Sequence, residues 1–562
     1  MAQIQTVELV VGLEIHVELG TRTKMFSRCP NIACPEFERA GAAVGAHAGE
    51  EGVASGVEPN TFIDPVTLGL PGALPVMNKA AVEMSMMVGM ALGCSIAPYS
   101  KWDRKSYYYP DMPKNYQISQ YQLPLCFDGS VELPPLGEDG KIDYAALAGE
   151  HLRAGAGEPL PGKRIGIVRA HLEEDAGKLM HEAPGGHAID FSIVDLNRAG
   201  TPLLEIVTQP DFRAANEVVV FCQMLRNICR FLGASEGVMQ KGHMRFEPNI
   251  NCVLTLSDGR LVKTPIVEIK NLNSFKAVKG AIEYELREQP KRWQADGKEM
   301  GPGAKSTRGW DDHAGETVLQ REKEDAHDYR YFPDPDLVPV TVDDTWRESV
   351  RERIPELPLE RTQRYMREFM LSPKEAAALT DERDVCLFYE RAVEAAVLRG
   401  IDRERAGKAA ANFVLQSGAK RANERSSAER AVLVSELGIN AQQVAAIIAL
   451  REDGKINSSA ADELFGALCE REDGSRPPGV PAGADPEVIA GQRGMLIVRD
   501  EGALEKWCAQ AITENAKSAE DVRAGKLAAA GRLVGAVMKL SGGAVDAKGV
   551  RAKVLEMLGV QE

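Results

Sequence analysis

Several common features are missing from this 562-residue chain, and each absence removes a class of function. No apolar run reaches the roughly 20 residues that span a bilayer, so no membrane-spanning helix and no membrane partner are expected. The chain opens M-A-Q-I-Q-T-V-E, without a basic and then apolar leader, so no secretory signal is expected. Ten cysteines stand singly and form no dense framework, which fits reduced thiols and a cytoplasmic location. No G-x-G-x-x-G follows a strand pattern, no G-x-S-x-G elbow occurs, and no cysteine sits in a nucleophile context. Cys29 and Cys34 have no second pair downstream, so no local four-cysteine zinc site can form. One stretch, G-E-P-L-P-G-K-R at residues 157–164, has phosphate-loop spacing. Two prolines remove N–H groups that would cradle phosphate, and Arg164 replaces the metal-holding hydroxyl, so the likeness is coincidental. Net basic charge is also lacking: the formal charge is −15, which globally disfavours a nucleic-acid partner.

Charge is nevertheless uneven. Residues 101–105 read K-W-D-R-K and run into S-Y-Y-Y-P. Residues 521–553 carry Arg523, Lys526, Arg532, Lys539, Lys548, Arg551 and Lys553 against only Asp521 and Asp546. Local basic patches therefore keep RNA binding open.

The chain changes character near residue 345. Before it, short alternating or apolar runs such as R-I-G-I-V-R-A-H-L-E and P-I-V-E-I-K read as strands of a mixed or antiparallel sheet. Helical patterns interrupt them at residues 78–92 and 216–232. After it, the pattern is helical almost throughout. The expected class is α+β, with an N-terminal sheet domain over residues 1–345 and all-helical domains following. A middle helical domain covers 346–470, a Pro/Gly-rich stretch at 471–486 reads as a linker, and a helical tail covers 487–562. Residues 40–56 and 296–316 lack periodicity and read as loop insertions. No internal repeat is visible.

Within G-L-E-I-H-V-E-L, apolar and polar residues alternate. In a strand, Leu13, Ile15, Val17 and Leu19 face the core, and Glu14, His16 and Glu18 share the other face. Read alone, that is a solvated face. Three further stretches repeat the pattern. His171 and Glu173 alternate in R-A-H-L-E, with Glu174 and Asp175 next. Glu205 lies inside P-L-L-E-I-V, and Glu268 inside P-I-V-E-I-K, where an unpaired carboxylate is costly. Convergent carboxylates repel unless a cation lies between them. Oxygen donors with an imidazole suit Mg²⁺ or Mn²⁺ better than zinc. Arg169, Arg198, Arg245 and Lys270 could neutralise phosphate oxygens. Together these are the parts of a phosphoryl-transfer site; separate buried salt bridges are the alternative.

Six motifs in order, G-L-E-I-H-V-E-L, Y-Y-Y-P-D-M-P-K-N-Y-Q-I-S-Q-Y, R-A-H-L-E-E-D-A-G-K, V-D-L-N-R-A-G-T-P-L-L-E-I-V, E-I-K-N-L-N-S-F and D-Y-R-Y-F-P-D-P-D-L-V-P, resemble the B-subunit family of aspartyl/glutamyl-tRNA amidotransferases. The stretch G-K-L-A-A-A-G-R-L-V-G-A-V-M-K-L-S-G-G resembles the family's tail domain, so the likeness covers nearly the whole chain. The resemblance implies a cradle-like catalytic domain that uses ATP to phosphorylate the side-chain carboxyl of Glu-tRNA(Gln), Asp-tRNA(Asn) or both. Ammonia from a partner amidase, the A subunit, then displaces the phosphate, and a small C subunit links the two. It also implies an Mg²⁺ site at Glu14, His16, Glu173 and Glu205, with catalytic roles for the same four. Arg198, Lys270, Asn271 and Asn273 become phosphate or substrate contacts, Arg523, Lys526, Arg532 and Lys539 become tRNA contacts, and Glu18 is left solvated. The apolar stretch at 68–77 is a candidate for packing near a partner, or plain core.

One departure concerns zinc. The family's F-C-x-C and C-P-V-C read F-S-R-C and D-P-V-T here, so the structural zinc is expected to be absent, with an atypical site at Cys29, Cys34 and Asp64 left open. Another is H-M-R-F-E-P-N-I-N-C, where Arg245 and Asn249 match the family and Glu247 stands at an Asp position. Two competing readings remain: a ligase acting on a small free acid, and a non-catalytic tRNA-binding scaffold.

Overall fold

The computed structural model describes residues 3–36, 58–144, 146–147, 163–183, 187–322, 329–427, 431–471, 473–497, 501–541, 545 and 547–560. The expected insertion at 40–56 lies outside them, as does most of the 157–164 stretch. The chain forms two compact units, Met1–Glu360 and Arg361–Glu562.

The first unit is built on a ten-stranded sheet. Its main strands are β1 (Ile4–Glu18), β2 (Cys126–Leu133), β3 (Lys163–Glu174), β4 (Pro202–Thr208), β5 (Met244–Leu256), β6 (Val267–Lys270), β7 (Ser306–Asp311) and β8 (Glu316–Glu322). They lie in the order β8-β7-β6-β5-β1-β4-β3-β2. Ser95–Ile96 extends the β2 edge, and Leu261–Lys263 pairs with β5. The pairings are antiparallel except β6 with β7, so the sheet is mixed, as the strand patterns predict.

Alternation in β1 divides the two faces. Leu13, Ile15, Val17 and Leu19 are buried on the apolar side. Three helices contribute to that core: α1 (Lys79–Ala91), α2 (Ala215–Phe231) and α3 (Phe275–Asp296). Asn78 caps α1, its side chain accepting from the N–H of Ala80 and Ala81, and Ser274 caps α3 through Ala277 N. These caps satisfy orphan amides and fix where each helix starts. A smaller sheet of Asp103–Ser106, Tyr116–Ser119 and Phe332–Pro333 accompanies the main one. The indole N–H of Trp102 donates to the Leu172 carbonyl at 2.9 Å and ties this small sheet to β3.

One expectation changes, and the compact boundary lies further along the chain. Residues 296–316 are not a loop: β7 and the start of β8 fall there. Glycine-rich flanks hide a strand whose order comes from parallel pairing with β6. The composition change near 345 also precedes the compact boundary. Helix Asp344–Arg351 stays in the first unit, where Trp346 Nε1 and Arg353 Nη2 both donate to the Glu83 carboxylate at 2.8 Å.

The second unit is helical. Arg383–Leu398 packs on Ala441–Glu452, with Tyr365, Phe369 and Tyr389 clustered at the core. Residues 471–486 lie against these helices: Arg476 Nη2 donates to the Gly438 carbonyl and Gln443 Nε2 to the Ala484 carbonyl. The last four helices, Glu501–Glu514, Ala516–Arg523, Ala530–Leu540 and Ala547–Leu558, gather a core of their own around Cys508, Leu533, Val537 and Val554. No described helix is long and apolar enough to cross a membrane.

Candidate phosphoryl-transfer site

The polar face of the sheet carries a row of charge across four strands. Arg245 of β5, His16 of β1, Glu205 of β4 and His171 of β3 are successive cross-strand partners. Two residues along, Glu247 opposes Glu14. Directly opposed side chains lie about 5 Å apart at Cβ, so register alone brings these groups together.

Two acid–imidazole groups result, and Glu205 belongs to both. Glu14, His16 and Glu205 form one; His171, Glu173 and Glu205 form the other. His16 Nε2 lies 3.6 Å from Glu14 Oε1 and 3.6 Å from Glu205 Oε2. His171 Nε2 lies 3.5 Å from Glu205 Oε2 and 3.7 Å from Glu173 Oε2. Ser119 Oγ donates to Glu173 Oε2 at 2.8 Å. Exposure falls across the groups, from 35% at the Glu14 side chain to 3% at Glu173, so the site opens at Glu14.

The electrostatics follow from that packing. Burial, then the neighbouring Glu205 charge, push Glu14 up to about 7. Burial alone would lower His16, but its bond to Glu205 and that residue's charge carry it up to about 9. Burial works against the Glu205 charge, yet His171 and His16 hold its carboxyl well below the ordinary range. Burial and the adjoining Glu205 charge both disfavour the ionised form of Glu14. Within each group the donors, carboxylate oxygens and imidazole nitrogens, lie within 4.8 Å of one another, and such a set fits a hard divalent cation.

The four expected ligands thus fall in two groups that share Glu205, with Glu14 and His16 in one and Glu173 in the other. His171 joins them, an alternating neighbour of Glu173 in the sequence. Glu18 corrects an expectation: it is 3% exposed, not solvated. Its N–H donates to the His243 carbonyl, and burial followed by the Asp175 charge push its carboxyl up to about 8. Asp175 is held down to about 2: burial opposes its charge, but Arg198 and Arg245 outweigh it. Arg245 Nη2 reaches Asp175 Oδ2 at 2.6 Å. That cover comes from residues about 160 to 230 positions downstream, which local alternation cannot reveal.

The expected phosphate contacts divide. Arg198 lies 3.5 Å from Asp175 and donates to the Ala176 and Gly177 carbonyls. Lys270 Nζ lies 2.9 Å from Glu247 and 3.2 Å from the buried Glu268, which Lys305 also contacts at 2.6 Å. Asn271 and Asn273 are exposed just past β6, and Asn271 has a left-handed φ of 63° that asparagine tolerates. Neither belongs to the two acid–imidazole groups. Lys105 is a site neighbour that the sequence patterns do not single out. The Glu173 and Glu205 carboxylates act on it, and its K-W-D-R-K-S-Y-Y-Y stretch is the available signal. Arg523, Arg532 and Lys539 are exposed on the tail helices, and Lys526, exposed between two of them, pairs with Asp521 at 2.9 Å.

At the departed zinc positions, Asp64 Oδ1 accepts from Thr67 N at 2.7 Å. Burial would raise the Asp64 carboxyl, but bonds from the Ser27 and Thr67 side chains and the nearby Lys24 charge lower it. Cys29 and Cys34 are buried, and no metal-sized group containing them occurs among the described residues.

An open sheet presenting carboxylates, imidazoles and guanidinium groups on one face fits a phosphoryl-transfer class of site. Known proteins resemble the chain along nearly its whole length. Residues 9–348 match the GatB/GatE catalytic domain, and residues 393–558 match the GatB domain. The chain is 40% identical to the aspartyl/glutamyl-tRNA(Asn/Gln) amidotransferase B subunit of Thermomicrobium roseum, over 98% of each chain. It is 38% identical to that of Caldicellulosiruptor saccharolyticus, over 95% of this chain and 96% of the other. It is 39% identical to that of Synechococcus elongatus, over 96% and 95%. The chain belongs to the B-subunit (GatB) family of aspartyl/glutamyl-tRNA(Asn/Gln) amidotransferases.

Proposed function

We propose that this chain is the ATP-consuming subunit of a cytoplasmic heterotrimer that amidates misacylated tRNA. The observation that carries the reading is the sharing of Glu205 by two acid–imidazole groups on one sheet face. Glu14, His16, Glu173 and Glu205, with His171, would hold Mg²⁺. When bound, the cation supplies charge neutralisation for phosphate oxygens. Glu205 keeps its negative charge at neutral pH and orients both imidazoles. Arg198, Lys270, Asn271 and Asn273 are assigned to phosphate and substrate contact.

The γ-phosphoryl group of ATP passes to the side-chain carboxylate of Glu on tRNA(Gln), or of Asp on tRNA(Asn), releasing ADP. Ammonia then attacks that acyl phosphate, the C–N bond forms and phosphate leaves. The amidase partner, the A subunit, supplies ammonia from glutamine, and a small C subunit joins the pair. Arg523, Lys526, Arg532 and Lys539 contact tRNA phosphates from a tail domain at 487–562, which follows a middle domain at 346–470 and a connecting stretch at 471–486. The Ser27–Asp64–Thr67 bonds stand where the family resemblance would put zinc ligands, so no structural zinc is assigned.

The test is transamidation by the chain with its partner subunits, ATP, Mg²⁺, glutamine and Glu-tRNA(Gln). Gln-tRNA formation that stops with EDTA and with Glu14→Gln supports the reading. ATP turnover that ignores both misacylated tRNA and Glu14→Gln overturns it.

A further inference from the structure

An aromatic stack stands beside the carboxylate site and takes no part in the chemistry above. Tyr121 and Tyr331 lie face to face, with centroids 4.5 Å apart and planes 11° from parallel. Tyr329 meets Tyr331 edge-on at 6.1 Å, and Lys105 Nζ sits 4.9 Å from the Tyr329 ring. Tyr331 is half-buried, whereas Tyr121 is 57% exposed, so the stack has one open end.

The platform is held rigidly. Tyr121 follows Gln120, which is buried and acts as a clamp. Gln120 Oε1 accepts from Leu125 N at 3.1 Å and from Leu172 N of β3 at 3.0 Å, while Nε2 reaches the Leu123 carbonyl. On the other side, Arg330 has a left-handed φ of 49°, a conformation that costs energy in a non-glycine residue and clusters at binding sites.

The stack is also close to the chemistry. Tyr121 is two residues from Ser119, whose Oγ touches Glu173. Two residues span at most about 7 Å of chain. The Glu173 and Glu205 charges act on Tyr331 and on Lys105.

We propose that Tyr121, backed by Tyr331, is the stacking platform for the unpaired 3′-terminal base of the aminoacyl-tRNA. This rests on the function proposed above. Exposed aromatics interleaved with cations suit single-stranded nucleic acid, because every base offers a π-face. The terminal base is joined through one ribose to the ester that carries the reacting side chain, so a platform two residues from Ser119, which touches Glu173, lies within its reach. The adenine of ATP is the competing occupant, and KM for Glu-tRNA against KM for ATP separates them.

The experiment uses the complete complex carrying wild type, Tyr121→Ala or Tyr121→Trp. Binding is measured for intact tRNA and for tRNA trimmed of its terminal nucleotide, and KM for Glu-tRNA and for ATP. Tyr121→Ala is expected to weaken intact tRNA on the order of ten-fold and raise its KM alike, with KM for ATP unchanged. It should not weaken trimmed tRNA, and Tyr121→Trp should restore binding. A rise in KM for ATP alone overturns the proposal and gives the platform to the nucleotide. Equal weakening of intact and trimmed tRNA, or no change in either, also overturns it and leaves a structural stack. Coupling to the terminal nucleotide in a complex that forms no amide overturns the proposed function instead.

Discussion

His16 and Glu205 are direct cross-strand partners, and their side chains meet with Nε2 3.6 Å from Oε2. The same carboxylate faces His171 on its other side. One anion thus lies against two imidazoles, and its bond and charge help to raise His16. Glu205→Gln keeps the shape and removes the charge. Divalent-cation affinity, read by Mn²⁺ titration, should fall at least about ten-fold, and transamidation about 100-fold or more. tRNA binding should hold. Undiminished Mn²⁺ affinity would return these carboxylates to plain salt bridges.

The helical unit contains a network of another kind, a buried arginine on a partly exposed carboxylate that Arg364 also contacts. Arg361, itself 6% exposed, places Nη1 2.5 Å from Glu390 Oε2, and the Tyr365 hydroxyl donates to the same carboxylate at 3.0 Å. Removing one partner leaves a buried charge uncompensated. Glu390→Ala should cost about 3 kcal/mol, seen as a lower urea midpoint with an unchanged slope. Replacing the pair together, with Arg361→Met and Glu390→Leu, should recover only part of the loss, because Tyr365 and Arg364 also lose their acceptor.

The sheet side of the fold is legible in the sequence because its signals are local. Leu13, Ile15 and Val17 alternate with polar residues, and Asn78 announces the helix it caps. All five acid–imidazole residues are visible in the sequence, Glu14, His16, His171 and Glu173 by alternating with apolar neighbours and Glu205 by interrupting an apolar run. Glu18 reads as solvated in the sequence because its cover, from Asp175, Arg198 and Arg245, is tertiary. β7 escapes the local pattern because its order comes from parallel pairing across a connection that includes α3. Lys105 is visible as charge but not as a neighbour of Glu173, since strand pairing alone decides what lies opposite. The stacking of Tyr121 on Tyr331 spans 210 residues, and only folding joins them.

Acid should loosen the helical unit through two carboxylates. Glu375 is held down to about 2 by its bond to Lys408, then by Ser372 in a capping box. Asp462 is held down to about 2 by its bond to Arg421; burial opposes the shift. Both folded values lie below the unfolded ones, so the unfolded chain binds more protons as pH falls. Their contribution is full above about pH 4.5 and fades as pH drops towards 2. Both groups are partly exposed, and solvent screening keeps the effect small. Glu375→Gln with Asp462→Asn should lower Tm at pH 7 and leave it nearly unchanged at pH 2. An equal loss at both pH values would show that shape, not charge, sets their contribution.

The tail offers the last test, because its charges and its core lie on different faces. Leu533 and Val537 are buried in helix Ala530–Leu540, whereas Arg532 and Lys539, seven residues apart, are exposed together. A seven-residue step returns to nearly the same side of an α-helix, so the two cations can face one nucleic-acid backbone. Reversing both, Arg532→Glu and Lys539→Glu, touches no buried neighbour and should leave Tm within about 2 °C. tRNA affinity should weaken, and the slope of log K against log salt should flatten by about one for each phosphate no longer neutralised. ATP turnover at saturating tRNA should persist, because the acid–imidazole groups belong to the other unit. An unchanged salt slope would mean that this face meets solvent and that tRNA is held elsewhere.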